Sequence, residues 1–97
     1  MIIFDGVHLY SDTSEHELHE FARRVGLKRE WYQGPPRHRV WHYDITTKKM
    51  ARKVVQSGAV EMPPLKAIKL HPDSVFGRRK REVDWATKVQ QNPIIER

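Results

Sequence analysis

The stretch SEHELHEFARRVG, residues 14–26, places apolar side chains at Leu18, Phe21, Ala22 and Val25. That spacing is the single apolar stripe of an amphipathic helix. Asp12 or Ser14 can supply the N-cap, each with a glutamate three residues on (Glu15 or Glu17). Arg23 and Arg24 suit the negative C-terminal end, and Gly26 is the stop. A helix with one apolar face needs an apolar layer to cover it, so the flanking segments are read for strands.

Upstream, MIIFDGV (residues 1–7) is short and rich in β-branched and aromatic residues. It reads as a buried strand ending near Gly6, and residues 8–13 (HLYSDT) read as the loop that delivers the helix cap. Downstream, residues 27–33 and 37–45 are aromatic-rich runs separated by Gly34-Pro35-Pro36, the pattern of a β-hairpin. A second helix is predicted over 47–56, with its stripe at Thr47, Met50, Ala51 and Val54, a cap at Asp44 or Thr46 and a stop at Gly58. Residues 59–62 read as a last short strand. The order β-α-β-β-α-β predicts an α+β domain, a ferredoxin-like sheet with two helices on one face. The domain spans residues 1–62. Residues 63–97 form a basic C-terminal extension in which 65–70 reads as a strand or arm and a short helix is placed around Val83, Trp85, Ala86 and Val89.

The length of 97 residues fits one small domain. The absence of cysteine excludes disulfides, thiolate metal sites and thiol nucleophiles. No stretch approaches the roughly 20 apolar residues of a membrane span, and the chain does not open on a cationic stretch followed by an apolar one. A cytoplasmic setting is therefore expected. The net charge of +6 is unevenly spread: residues 1–20 carry −5, whereas residues 21–56 carry +8. Arg78-Arg79-Lys80-Arg81 is a separate basic run. Such a dipolar chain has an anion-attracting side.

Three groups of residues can carry chemistry. His8, His42 and Asp44 supply the residue types of acid–base catalysis or of a divalent metal site, with Asp12 as an orienting residue or further ligand. In a ferredoxin-like order the first and third strands are adjacent and antiparallel, which sets His8 beside Arg37 and His38. A parallel arrangement would bring His8 to His42. Trp31, Gln33, Trp41 and Tyr43, with Arg29, Arg37 and Arg39 around them and Lys49 on the basic second helix, form a surface able to stack a base and pair a phosphate. One face of that hairpin must pack on the helices, so one of its tryptophans belongs to the core. His16 and His19, three apart on the first helix, have the spacing of a metal pair but sit beside Glu15 and Glu20, as on a solvated helix surface.

The strings His8-Leu9-Tyr10-Ser11-Asp12-Thr13, Glu17-Leu18-His19, Phe21-Ala22, Gly26-Leu27, Trp31-Tyr32-Gln33 and His42-Tyr43-Asp44-Ile45-Thr46, with Lys49 and Gly58-Ala59, resemble an uncharacterised domain-of-unknown-function family of bacteria and their phages. The resemblance covers residues 1–62. It implies a cytosolic setting, that of the host where a phage encodes the protein, and no established activity. The expected function is a small binding module for an anionic ligand, a nucleotide or cyclic nucleotide. In a phage such a module would sequester a host-defence signal. A phosphodiesterase or nuclease built on His8, His42 and Asp44, and a DNA- or RNA-binding accessory protein, are the alternatives. An open sheet edge also makes a homodimer an expectation.

Overall fold

The computed structural model describes residues 1–77. The Arg78–Arg81 run and the helix expected near Val83 lie outside the described residues. The protein is α+β. Strands β1 (Ile2–Phe4) and β2 (His8–Ser11) are followed by helix α1 (Glu15–Val25), and a 3-10 turn (Arg29–Trp31) leads into β3 (Tyr32–Gln33). Then come β4 (His42–Asp44), α2 (Lys48–Gln56), β5 (Val60–Glu61) and α3 (Pro64–Leu70). The sheet order is β3-β4-β2-β1-β5, antiparallel throughout except for the parallel pair β1–β5.

The four strands read from the sequence keep the relative order expected of them, but a fifth stands between the first and the third. Residues 8–11 form a strand, not the loop anticipated. Phe4 and Leu9 pair across a reversal at Asp5-Gly6-Val7. Gly6 adopts a φ of 102°, which disfavours any side chain. The Asp5 carboxylate accepts hydrogen bonds from the Val7 and His8 amides, at 2.9 and 2.6 Å. Glycine and aspartate thus each satisfy a separate demand of the turn.

Helix α1 buries the four stripe residues Leu18, Phe21, Ala22 and Val25. Ser14 caps it by accepting from the Glu17 amide, and Gly26 closes it at a φ of 87°. Helix α2 is capped by Thr47 through the Met50 amide, one residue beyond the expected Thr46. Its Val54 is fully buried, with Met50, Ala51 and Val55 partly so. Both helices cover one face of the sheet, packing on Ile2, Phe4, Leu9 and Tyr43.

Part of the opposite face is covered by residues 63–77. Helix α3 sets Ala67 against Ile3 and Tyr10, with Val40, Met62 and Ile68 beside them. Behind it, the His71 ring is fully buried. Its Nε2 donates to the Trp41 carbonyl at 2.9 Å, and its Nδ1 accepts from the Asp73 amide at 3.0 Å. Trp41 Nε1 donates to Asp73. The core therefore continues past residue 62, and 65–70 is a helix where a strand or arm was expected.

Replacing Leu18 by Ala opens a cavity in the larger core and is expected to cost about 2–5 kcal/mol, read from chemical denaturation. His71 gives a pH dependence. Burial holds its pKa below the ordinary histidine value, only partly offset by the hydrogen bond to Trp41. The unfolded chain then binds a proton that the folded chain refuses, so the contribution of His71 is intact above about pH 6.5 and is lost as pH falls below it. Denaturation midpoints should drop between pH 7 and pH 5, and His71→Gln should flatten that part of the profile.

A histidine and aspartate cluster in a basic cleft

Strand β4 alternates its side chains: Tyr43 enters the core under α1, while His42 and Asp44 point to the face shared with α3. On β2 the same rule sends Leu9 and Ser11 inward and His8 and Tyr10 to the α3 face. The antiparallel register pairs His8 with Asp44. His8, His42 and Asp44 consequently converge. His42 Nε2 lies 3.3 Å from Asp44 Oδ1, His8 Nε2 lies 3.8 Å from the same oxygen, and the two rings meet edge to face at 4.9 Å.

Second contacts fix how these groups face. His42 Nδ1 is 2.7 Å from the Val40 carbonyl, which can only accept, so that nitrogen carries the proton. His8 Nδ1 donates in the same way to Asp5 Oδ2 at 3.0 Å. Both Nε2 atoms are thereby directed at the Asp44 carboxylate. In neutral imidazoles they present lone pairs, so three electron-rich atoms face one point, a set completed by a proton or a metal cation. The three ligand atoms lie within 4.8 Å of one another. A cation about 2.1 Å from each ligand would need ligand separations of roughly 3.0–3.5 Å. His42 and Asp44 already stand at that separation, and His8 Nε2 lies 3.8 Å from the same oxygen. Two histidines and one carboxylate suit Zn²⁺, Mn²⁺ or Fe²⁺. Side-chain exposures of 38% for His8, 13% for His42 and 35% for Asp44 leave the cluster reachable from solvent.

Asp5 was not among the candidates in the sequence, yet it is the residue behind His8. Its side chain is only 4% exposed. Burial opposes its ionisation, but the hydrogen bonds from His8 and Val7 outweigh this and hold its carboxyl below the usual range. Tyr10, stacked on His8, is pushed up to about 12 by burial first and then by Asp5. Gln33 supports the cluster from β3 by donating its amide to Asp44 Oδ2.

A cleft of about 570 Å³ opens beside the cluster, lined by His8, Tyr10, Arg37, His38, Arg39 and His42 among others. Both arginines are exposed at its rim. His38 is half-buried, its ring centre 5.8 Å from that of His42. Of the remaining candidates, Gln33 touches Asp44, and Trp31 is exposed and lines a separate cleft with Gln33 and Asp44. Trp41 and Tyr43 are not at the site. Trp41 is 2% exposed and spends its N–H on Asp73, and Tyr43 is buried with its hydroxyl on His19 Nδ1. Their expected ligand role is corrected to a core role: the β4 alternation turns Tyr43 under α1, and Trp41, just before the strand, packs on His71. Arg29 lies over Tyr32 and lines a separate cleft with His19 and Tyr43. Lys49 is exposed on α2. Asp12 follows the far end of β2, where it binds the Met1 ammonium and the Thr13 hydroxyl. The orienting role expected of it belongs to Asp5. His16 is exposed and His19 is committed to Tyr43, so the two do not form a metal pair.

The fold and cluster define a small α+β domain with a histidine–carboxylate site on the α3 face of its sheet. The chain belongs to the family described as Protein of unknown function (DUF4031), whose match covers residues 6–72. No curated protein and no solved structure matches it. Among the described residues, no helix is long and apolar enough to cross a membrane.

Titration with Zn²⁺ or Mn²⁺ followed by calorimetry should show one strong site per chain. Binding should be lost in His42→Ala. Asp5→Asn, which removes the charge facing His8 Nδ1 but keeps an oxygen able to accept the Val7 and His8 amides, should weaken it about 10–100-fold while circular dichroism shows the fold intact.

Proposed function

We propose that the protein is a metal-dependent hydrolase of phosphate esters. The observation that carries this reading is the aim of His8 Nε2 and His42 Nε2 at Asp44 Oδ1, beside a cleft that both histidines line and Arg37 and Arg39 rim. Three protein ligands leave coordination positions open, as hydrolytic metal centres require. A divalent ion held there would lower the pKa of a bound water toward neutrality. Arg37 and Arg39 would pair the phosphate oxygens through their guanidinium groups, offsetting the charge that develops as the phosphorus is attacked. His38, half-buried in the same cleft, is placed to give a proton to the departing oxygen. Asp5 and Gln33 act as positioning residues, the first for His8 and the second for Asp44.

This reading selects the phosphodiesterase or nuclease alternative and retains the phosphate-bearing ligand of the binding-module expectation. The cluster favours turnover, because an anion sponge gains nothing from a carboxylate held against the two histidines that line its cleft. The test is hydrolysis of bis(p-nitrophenyl) phosphate by the Mn²⁺- or Zn²⁺-loaded protein. Turnover should be abolished by EDTA and by His42→Ala. It should survive Arg39→Ala with kcat/KM lowered about tenfold, the effect of one charged hydrogen bond. Phosphate ligands that bind tightly and are recovered intact would replace the hydrolase with an anion-binding module.

A further inference from the structure

Asp44 borders a separate, smaller cleft that shares no lining residue with the arginine-rimmed one. It has a volume of about 280 Å³ and is lined by Glu30, Trp31, Gln33, Asp44 and Thr46. Its chemistry is opposite to that of the first cleft. Glu30 and Asp44 would repel a second phosphate, whereas Arg37 and Arg39 across the cluster attract one. What the smaller cleft offers is a flat aromatic wall and polar edges. Trp31 ends the 3-10 turn with 41% of its surface exposed. Phe76 is the other exposed large aromatic among the described residues, and it belongs to the segment behind α3. Lys28 lies 5.7 Å from the Trp31 ring centre and steadies that wall from the chain leading into the turn. Thr46 carries a hydroxyl able to donate or accept, and the Glu30 carboxylate accepts.

We propose that this cleft is a nucleobase site, so that the phosphoester taken by the cluster is a nucleotidyl phosphodiester. The base stacks on Trp31 and the phosphate chain runs across Asp44 toward Arg37 and Arg39. This inference rests on the hydrolase reading for its chemistry and on the two clefts for its polarity. The reaction is redox-neutral. The water oxygen forms the new bond to phosphorus and the P–O bond to the leaving group breaks. The proton lost by water balances the one taken up by the departing alkoxide. Single-stranded nucleic acid and cyclic or linear dinucleotides share this recognition chemistry, because every base has a face to stack.

The experiment compares two esters with the same leaving group, thymidine 5′-(p-nitrophenyl) phosphate and methyl p-nitrophenyl phosphate, on the Mn²⁺-loaded protein. The nucleoside ester should have a kcat/KM higher by about tenfold or more. Trp31→Ala and Trp31→Leu should bring the ratio of the two values close to one, and Trp31→Phe should keep most of it. A ratio near one in the unaltered protein, or one that survives Trp31→Ala, overturns the base site. If neither ester is hydrolysed, the hydrolase reading has failed and the base site is judged by binding. Fluorescence anisotropy of an oligothymidylate against an abasic strand of equal charge should then show at least about tenfold tighter binding of the former, lost in Trp31→Ala. Equal binding of the two strands overturns it. An oligothymidylate cut more readily than a linear thymidine dinucleotide identifies nucleic acid as the source, and the reverse identifies the small dinucleotide.

Discussion

The Asp5 carboxylate is the contact on which both hairpin and site depend. One of its oxygens accepts the Val7 and His8 amides and so closes the reversal between β1 and β2. The other accepts from the His8 ring and lies 3.4 Å from the Tyr10 hydroxyl. A single buried anion thereby sets the turn, the start of β2 and the direction of His8 Nε2. Because the reversal inserts β2 between β1 and β4, His8 stands opposite Asp44 in an antiparallel ladder. The arrangement requires no long loop or flexible arm to bring the ligand atoms together. Strands hold them, and strand geometry is stiffer than loop geometry.

Strand β4 divides the labour of the domain through its alternation. Trp41 and Tyr43 are spent on the core and on tying α1 and the segment behind α3 to the sheet. His42 and Asp44, one residue away in each case, remain partly exposed on the other face. The same alternation on β2 separates Leu9 from His8. Chemistry and stability are thus written on opposite faces of the same three-residue strand, and a one-residue slip in register would exchange them. Helix α3 completes the arrangement by covering Ile3 and Tyr10 next to the cluster, which leaves the histidines at the edge of a packed surface.

Much of the scaffold was legible in the residues. The stripe Leu18, Phe21, Ala22 and Val25 and the Gly26 stop were read in place, since helix periodicity and capping are local properties, and of the two caps offered, Asp12 and Ser14, the structure uses Ser14. The pairing of residues 32–33 with 42–43 was legible only in part: the aromatic runs gave the antiparallel partners, but residues 29–31 form a 3-10 turn and the strands are joined by residues 34–41 rather than by Gly34-Pro35-Pro36 alone. The first hairpin was missed even though Asp5-Gly6 between Ile2-Ile3-Phe4 and Val7-His8-Leu9-Tyr10 is a strong hairpin signal. The polar residues His8, Ser11 and Asp12 and the helix cap beyond them gave the segment the look of a loop. Missing it also hid Asp5, whose role exists only once the chain turns back on itself. Leu65 to Leu70 was ambiguous because six residues with mixed apolar spacing fit helix, strand or arm, and packing on Ala67 decides among them.

By itself the sequence determined an α+β domain, a basic middle segment, a chemistry free of thiols, and the candidate residue types His, Asp and Arg. These follow from composition and from spacings of two to four residues. Only the tertiary structure decided that His8 meets Asp44, that Trp41 and Tyr43 are lost to the core, and that Arg37 and Arg39 rather than Arg29 or Lys49 share a cleft with the cluster. The reason is physical: the side on which a strand residue ends depends on register and on the number of strands between partners, and one unrecognised two-residue reversal changes both.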